Sequence, residues 1–396
     1  AIQDTSTSGI FSSNLLLYPE IYSQDILKNL SSNGILSPGV ISNVLLFKYF
    51  DVNPIYTTYF FLIFGSFIFS FGYLYLSLSF FKKRSLAVLS TLMMLSFGII
   101  DNNLANFGPG TSFQVFPDGN FTALGLICFF LAFVLAKKIF LSFLILCGLI
   151  FFHLGHAILL IPFYYFFLFY SILIKKTYRV SFFKKLILFI APIGLFLSLL
   201  ISNLNISESG LSNNYIFNII YGLKAGHIYP WEQSNYLSII LGYSVVILFF
   251  VLSLKEFDKL PRNFWFIFIG LLCLISLYTL IHLFVIFFKF DELIKFVQIL
   301  PMRSSVYLQL FIFPLSSFFL INKLLKSRGS ITYGTFLLLI IIFSSHKSIG
   351  DFFLLTTNYF NFGNFIFFKI IFSILSLLLL YFFYKKIRLI KKSSIL

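Results

Sequence analysis

Long apolar runs separated by short polar segments fill most of the chain beyond residue 53. A helix that crosses a bilayer needs about 20 mainly apolar residues, because its backbone N–H and C=O groups must bond within the segment where water is absent. The pattern predicts eleven such helices: Pro54 to Phe81, Ser85 to Ile100, Asn120 to Ala136, Ile139 to Phe152, Ala157 to Ile174, Phe182 to Ile201, Tyr236 to Leu254, Asn263 to Phe288, Ser305 to Ile321, Ile331 to Ser345, and Asn361 to Tyr384. The predicted fold class is all-α, a polytopic transmembrane helical bundle whose outer loops bear short helices.

Charged residues divide the segments between these helices into two kinds. Every second loop and the C-terminal tail together hold 21 of the 29 basic residues, whereas the other loops hold eleven of the 13 acids. Since Lys and Arg collect in cytoplasmic loops, the basic side is predicted to be cytoplasmic and the acidic loops to lie outside. The basic groups are Lys82 to Arg84, Lys137 and Lys138, Lys175 to Lys185, Lys255 to Arg262, Lys323 to Arg328, and Lys385 to Lys392.

Three regions follow from this topology. Residues 1–53 are predicted to form an extracytoplasmic first loop with short helices, residues 54–385 the transmembrane helical domain, and residues 386–396 a basic cytoplasmic tail. A segment outside the membrane must be carried across it, and the first loop lacks the basic and apolar regions of a signal peptide. We therefore expect a further helix before Ala1, which would make twelve in all.

Composition excludes a soluble protein, since 59% of the residues are hydrophobic, 11% are charged and the mean hydropathy is +0.97. An ordinary soluble domain is about one quarter charged. The net charge of +16 does not indicate nucleic acid as a partner, because the basic residues are spread in short clusters. Cys128, Cys147 and Cys273 fall inside apolar runs and are expected to be packing residues.

The first outer loop holds two candidate carboxylates, Glu20 and Asp25. Pro19 could start a short helix there, and residues five apart lie about 140° around a helix, so the two acids would not form one pair. One of them could act as a base, and Asp25 is preferred. The alternative is that Glu20 only stabilises a helix N-terminus and that Asp25 is a solvated loop residue.

Two histidine-containing segments are candidates for binding. His153 and His156 lie where the fourth helix ends outside, and the pair could bind a phosphate or a divalent metal, although no third ligand is evident. The segment from Gly226 to Glu232 adds His227 and Trp231, whose rings suit a sugar. Anchoring at the membrane interface is the alternative for both segments.

Arg303 is predicted to lie at the outer end of the ninth helix, whereas most basic residues fall on the predicted cytoplasmic side. Arg303 follows Gln298 and a proline, and its guanidinium offers a planar set of donors for phosphate oxygens. Asp101, ahead of a Gly/Pro loop, could support the site or simply face water. Lys369 falls within the last predicted helix and could extend to the surface or be paired.

These segments resemble a bacterial branch of the type C glycosyltransferase superfamily, and the similarity in layout spans nearly the whole chain. The chain departs from several subfamilies in having no paired Asp-Asp or Glu-Asp. The resemblance is carried by Tyr18 to Asp25, Asp101 before its Gly/Pro loop, the histidine at the outer end of the fourth helix, His227 to Trp231, and Gln298 to Arg303.

The resemblance implies a fold and a reaction. Members of the family are multi-helix membrane enzymes that transfer a sugar from a polyprenyl-phosphate donor, using an acid of the first outer loop. It implies Asp25, or else Glu20, as the base and Arg303 as a phosphate contact, assisted by His153 or His156. The implied partners are that donor, a glycan, lipid or protein acceptor, and membrane lipids of a bacterial inner membrane, with a divalent metal as an open option.

A multi-span transporter or a lipid-linked oligosaccharide flippase is the main alternative. Transporters place ionisable residues or broken helices near the bilayer midplane, whereas these predicted spans are almost free of charge. A lipid-linked polysaccharide polymerase or ligase usually has a large loop late in the chain, where only short loops occur here. The sequence therefore favours the glycosyltransferase.

Overall fold

The computed structural model describes residues 38–81, 83–100, 119–174, 182–204, 247–255, 260–261, 263–288 and 304–326. This part of the chain is 92% helical and contains no strand, which confirms the helical fold class. Its helices are α1 (Pro38–Phe50), α2 (Pro54–Phe80), α3 (Arg84–Ile100), α4 (Gly119–Leu135), α5 (Ile139–Phe152), α6 (Leu154–Phe169), α7 (Phe182–Leu204), α8 (described over 247–254), α9 (Phe264–Phe288) and α10 (Ser305–Lys326), and one π-helical turn (Tyr170–Ile174) continues α6.

Three of the described helices are long and apolar enough to cross a membrane, over Ile63–Phe80 of α2, Leu154–Ile172 of α6 and its π-turn, and Phe264–Val285 of α9. Shorter apolar stretches occur in α4, α5, α7 and α10. These findings agree with an integral membrane protein. The total of about eleven spans stays a prediction, because the last two predicted helices and much of the seventh lie outside the described residues.

The bounds of the described helices follow the hydrophobic pattern closely. Ile139–Phe152 is the helix that the pattern predicts, and α2, α3, α4 and α9 begin and end within a residue of their predicted limits. α10 runs on to Lys326, beyond the predicted end at Ile321. α1 lies in the region predicted as a first outer loop with short helices, whereas the short helix expected after Pro19 falls outside the described residues.

Contacts between helices join the ends that the charge pattern places on one side. The side-chain amide of Asn263, just before α9, donates to the carbonyl oxygens of Val134 and Leu135 at the end of α4, at 3.3 and 3.4 Å. Phe266, in the first turn of α9, stacks on Tyr170 with a centroid distance of 4.4 Å. These contacts show that α9 runs antiparallel to α4 and to α6.

Two glycines allow α2 and α4 to touch backbone to backbone. A Cβ added at Gly125 would lie 2.6 Å from the carbonyl oxygen of Ile68, and one added at Gly72 would overlap the carbonyl oxygen of Gly125. Close backbone approach through small residues is a common way to pack helices in a membrane, where helices gain little from hydrophobic burial. The α2 and α4 pair is the most extensive helix contact of the described residues.

One face of α2 presents large apolar side chains to the surroundings. Tyr56, Phe60, Ile63, Phe67 and Phe71 recur at helical spacing, and each is more than half exposed. Soluble proteins rarely expose so continuous an apolar strip. This face is therefore placed to contact lipid tails.

Candidate functional site at the start of α6 and α10

His153 is the N-cap residue of α6 and occupies the single position between α5 and α6. The backbone N–H of His156 donates to Nδ1 of His153 at 3.2 Å. Because Nδ1 acts as an acceptor there, the neutral ring carries its proton on Nε2. The His153 ring also lies over Gly155, where an added Cβ would come within 3.3 Å of Cε1. The cap therefore fixes this imidazole at the helix start.

His156 joins α6 to α10 through Tyr307. Its Nδ1 lies 2.8 Å from the Tyr307 hydroxyl, which also lies 3.4 Å from the main-chain carbonyl oxygen of His156. Both side chains are buried, with 1% of His156 and none of Tyr307 exposed. The His153 and His156 rings have a centroid distance of 4.5 Å. Two imidazoles and a phenol thus form one cluster, which we call the His–Tyr cluster.

The His–Tyr cluster lies where two helices begin. α6 starts at Leu154 and α10 at Ser305, and Tyr307 belongs to the first turn of α10. Helix N-termini carry partial positive charge and outward-directed N–H groups, so they favour anions. Ser304, immediately before α10, is fully buried, and its Oγ forms no hydrogen bond with any described residue. The arrangement favours an anion with several oxygen acceptors, such as a phosphate.

The described residues give little support for a bound metal ion. No group of three or more His, Cys, Asp and Glu residues that could hold a metal occurs among them. Nδ1 of His153 and Nδ1 of His156 already take part in hydrogen bonds within the His–Tyr cluster. A divalent metal stays a prediction, since the acids of the outer loops lie outside the described residues.

Within the described part of the chain, the structure brings two of the predicted site residues together. His153 and His156 are adjacent as expected, but they cap a helix and join two helices, roles that the sequence did not indicate. Tyr307 and Ser304 were missed, although both follow Arg303 within one helical turn, which is the signal that could have found them. The predicted residues that lie outside the described part are Glu20, Asp25, Asp101, His227, Trp231, Gln298 and Arg303.

Replacing Tyr307 by Phe tests whether the His–Tyr cluster stabilises the bundle. We expect the free energy of unfolding to fall by about 1–3 kcal/mol, because a buried ring nitrogen of His156 loses a hydrogen-bond partner. Thermal unfolding in detergent would measure the change. Tyr49→Phe is the matched control, because Tyr49 in α1 is 67% exposed. Equal unfolding midpoints for the two variants would contradict a stabilising hydrogen bond.

Comparisons with known proteins give no match. No protein-family model, no curated protein and no solved structure is similar to the chain. The resemblance to type C glycosyltransferases stays a prediction from the sequence.

Proposed function

We propose that the protein is a membrane glycosyltransferase that moves a sugar from a polyprenyl-phosphate donor to an acceptor on the extracytoplasmic face. The observation that carries the proposal is the His–Tyr cluster, in which buried Tyr307 holds the start of α10 against the start of α6. Arg303 immediately precedes Ser304 in the sequence. A donor phosphate beside this cluster would meet two helix N-termini and hydrogen-bond donors from His153 and Arg303.

The reaction needs a base near the acceptor hydroxyl and hydrogen-bond donors near the leaving phosphate. Asp25, or else Glu20, accepts the proton of the acceptor hydroxyl as its oxygen attacks the anomeric carbon. The bond between that carbon and the phosphate oxygen breaks, and the polyprenyl phosphate leaves with the electron pair. Arg303 and the Nε2–H of His153 stabilise the negative charge that grows on the leaving phosphate. The sugar becomes linked to the acceptor oxygen.

Other predicted residues complete the proposed site. His227 and Trp231 supply rings for the face of the sugar, while Gln298 and Asp101 are assigned to substrate binding. The polyprenyl tail lies between helices, in contact with apolar side chains. The acceptor, a glycan, a lipid or a protein, approaches from the outer aqueous side.

Reconstitution in liposomes with radiolabelled polyprenyl-phosphate sugars tests this function. We expect loss of label from the lipid-linked donor and its appearance in an acceptor fraction, only when donor and acceptor occupy the outer face. Empty liposomes and heat-unfolded protein are the controls. If no tested lipid-linked sugar is consumed, the glycosyltransferase proposal fails.

One observation favours the alternative of a transporter or a lipid-linked oligosaccharide flippase. His282 is fully buried within α9, one of the helices long enough to cross a membrane. Buried ionisable residues inside spans are typical of transport pathways. The same liposomes separate the two functions, because a flippase would move the labelled lipid to the opposite leaflet and leave the sugar attached to it.

A further inference from the structure

Four buried hydroxyl groups meet between α2, α3 and α10, away from the His–Tyr cluster. Tyr73 and Ser77 belong to α2, Ser90 to α3 and Ser317 to α10, and at most 1% of each residue is exposed. We call this set the hydroxyl cluster. The core around it is otherwise built mainly of apolar side chains, so four hydroxyls in one place need a physical reason.

Hydrogen bonds within the hydroxyl cluster satisfy only some of its four hydroxyl groups. Ser317 donates to the carbonyl oxygen of Pro314 at 2.8 Å, so the 2.6 Å contact with Ser90 has Ser90 as the donor. Ser90 Oγ can then still accept. The hydroxyl of Tyr73 lies close enough to Ser77 and Ser90 to interact with both, but neither Tyr73 Oη nor Ser77 Oγ meets the geometry of a hydrogen bond with a described residue.

Helix geometry places these groups at one depth of the bundle. The Tyr73 ring packs edge-on against Phe313, with a centroid distance of 6.4 Å. Ser77 and Ser317 each lie four residues further along α2 and α10, on the same faces as Tyr73 and Phe313. Three helices therefore contribute hydroxyls to one small region of the bundle.

Burial without hydrogen bonds is costly, and a water molecule removes that cost. A buried hydroxyl without a partner is unfavourable, and lipid tails offer no partner. Buried waters typically form about three hydrogen bonds to otherwise unsatisfied polar groups. Tyr73, Ser77 and Ser90 supply that number of partners. We propose that the hydroxyl cluster binds an ordered water molecule that bridges α2, α3 and α10.

The direction in which the unfolding midpoint changes tests whether a water molecule bridges the hydroxyls. If water links the hydroxyls, Tyr73→Phe and Ser77→Ala each remove a hydrogen bond, and the unfolding midpoint of each is expected to fall by about 2 °C. The double variant should lose less than the sum, because both hydroxyls serve the same water. If the cluster is dry, each substitution removes an unsatisfied group, so a midpoint that is unchanged or raised overturns the proposal.

Matched controls lie on α5 and on α2 itself. Ser142→Ala in α5 removes an equally buried hydroxyl that bonds only locally, to the carbonyl oxygen of Ile139 at 2.8 Å. Tyr75→Phe changes a half-buried tyrosine of α2 whose hydroxyl accepts from exposed Lys138 Nζ at 3.4 Å. Both are expected to leave the midpoint within about 1 °C of the wild type.

A density map separates a water bridge from a direct bond between Tyr73 and Ser77. We expect the cryo-electron microscopy map of the full chain, bound to an antibody fragment and at a resolution that shows ordered water, to contain a peak within hydrogen-bond distance of Tyr73, Ser77 and Ser90. The peak should be absent from the Tyr73→Phe, Ser77→Ala double variant. A wild-type map with the two hydroxyls bonded directly, and no peak, would rule out the bridge.

Discussion

Gly72→Ala and Gly125→Ala are each expected to reduce the free energy of unfolding by about 1–3 kcal/mol, with a large loss of folded protein. At either position the new Cβ meets backbone atoms of the facing helix, not the end of a flexible side chain. Backbone cannot rotate away, so α2 and α4 must separate, and the side chains around Tyr73 and Cys128 then lose contacts. Yield of monodisperse protein in detergent and the unfolding midpoint would measure the effect.

Two other glycines provide the control for this prediction. A Cβ at Gly148 in α5 or at Gly194 in α7 would meet nothing within 4 Å. Alanine favours a helix over glycine by about 1 kcal/mol, so Gly148→Ala and Gly194→Ala should be neutral or slightly stabilising. If all four variants behave alike, close contact between α2 and α4 does not hold the bundle together.

Asp25→Asn is expected to reduce sugar transfer by about 10²–10⁴-fold, the usual contribution of a general base. Asparagine keeps the shape of the side chain but cannot accept the proton of the acceptor hydroxyl at neutral pH. Arg303→Ala should also reduce transfer strongly, because the leaving phosphate loses a charged donor. Initial rates with the radiolabelled donor would measure both effects in the reconstituted protein.

Asp4→Asn is the matched control for the base, since Asp4 belongs to the same first loop. We expect its transfer rate to equal that of the wild type. Circular dichroism and size-exclusion profiles should show that every variant is folded. Full activity in folded Asp25→Asn and Arg303→Ala would show that the site has been assigned to the wrong residues, even if the protein transfers sugar.

Much of the helical fold could be predicted from the sequence, for a simple physical reason. A membrane requires long apolar helices and collects basic residues on one side, so boundaries such as Ile139 to Phe152 can be read from hydropathy alone. Helix pairing is different, because apolar residues occur all round α2 and no face stands out in the sequence. The contact between Gly72 and Gly125 depends on three-dimensional shape, which the one-dimensional pattern does not contain.

The candidate site could be predicted only in part. His153 and His156 are noticeable because polar residues are rare between two apolar runs, and in the structure their rings have a centroid distance of 4.5 Å. Tyr307 looked like one more aromatic residue in a chain with 22 tyrosines. Its role depends on a hydrogen bond to a residue 151 positions away, and contacts of such long range cannot be read from local spacing.

The hydrogen bond between Ser90 and Ser317 can form only late in the synthesis of the chain. These residues are 227 positions apart, so α2 and α3 are synthesised long before α10 is available. Polar groups in lipid are unfavourable without partners, and the early helices therefore carry unmet hydroxyls through most of translation. Insertion of α10 therefore completes this hydrogen bond only late in synthesis.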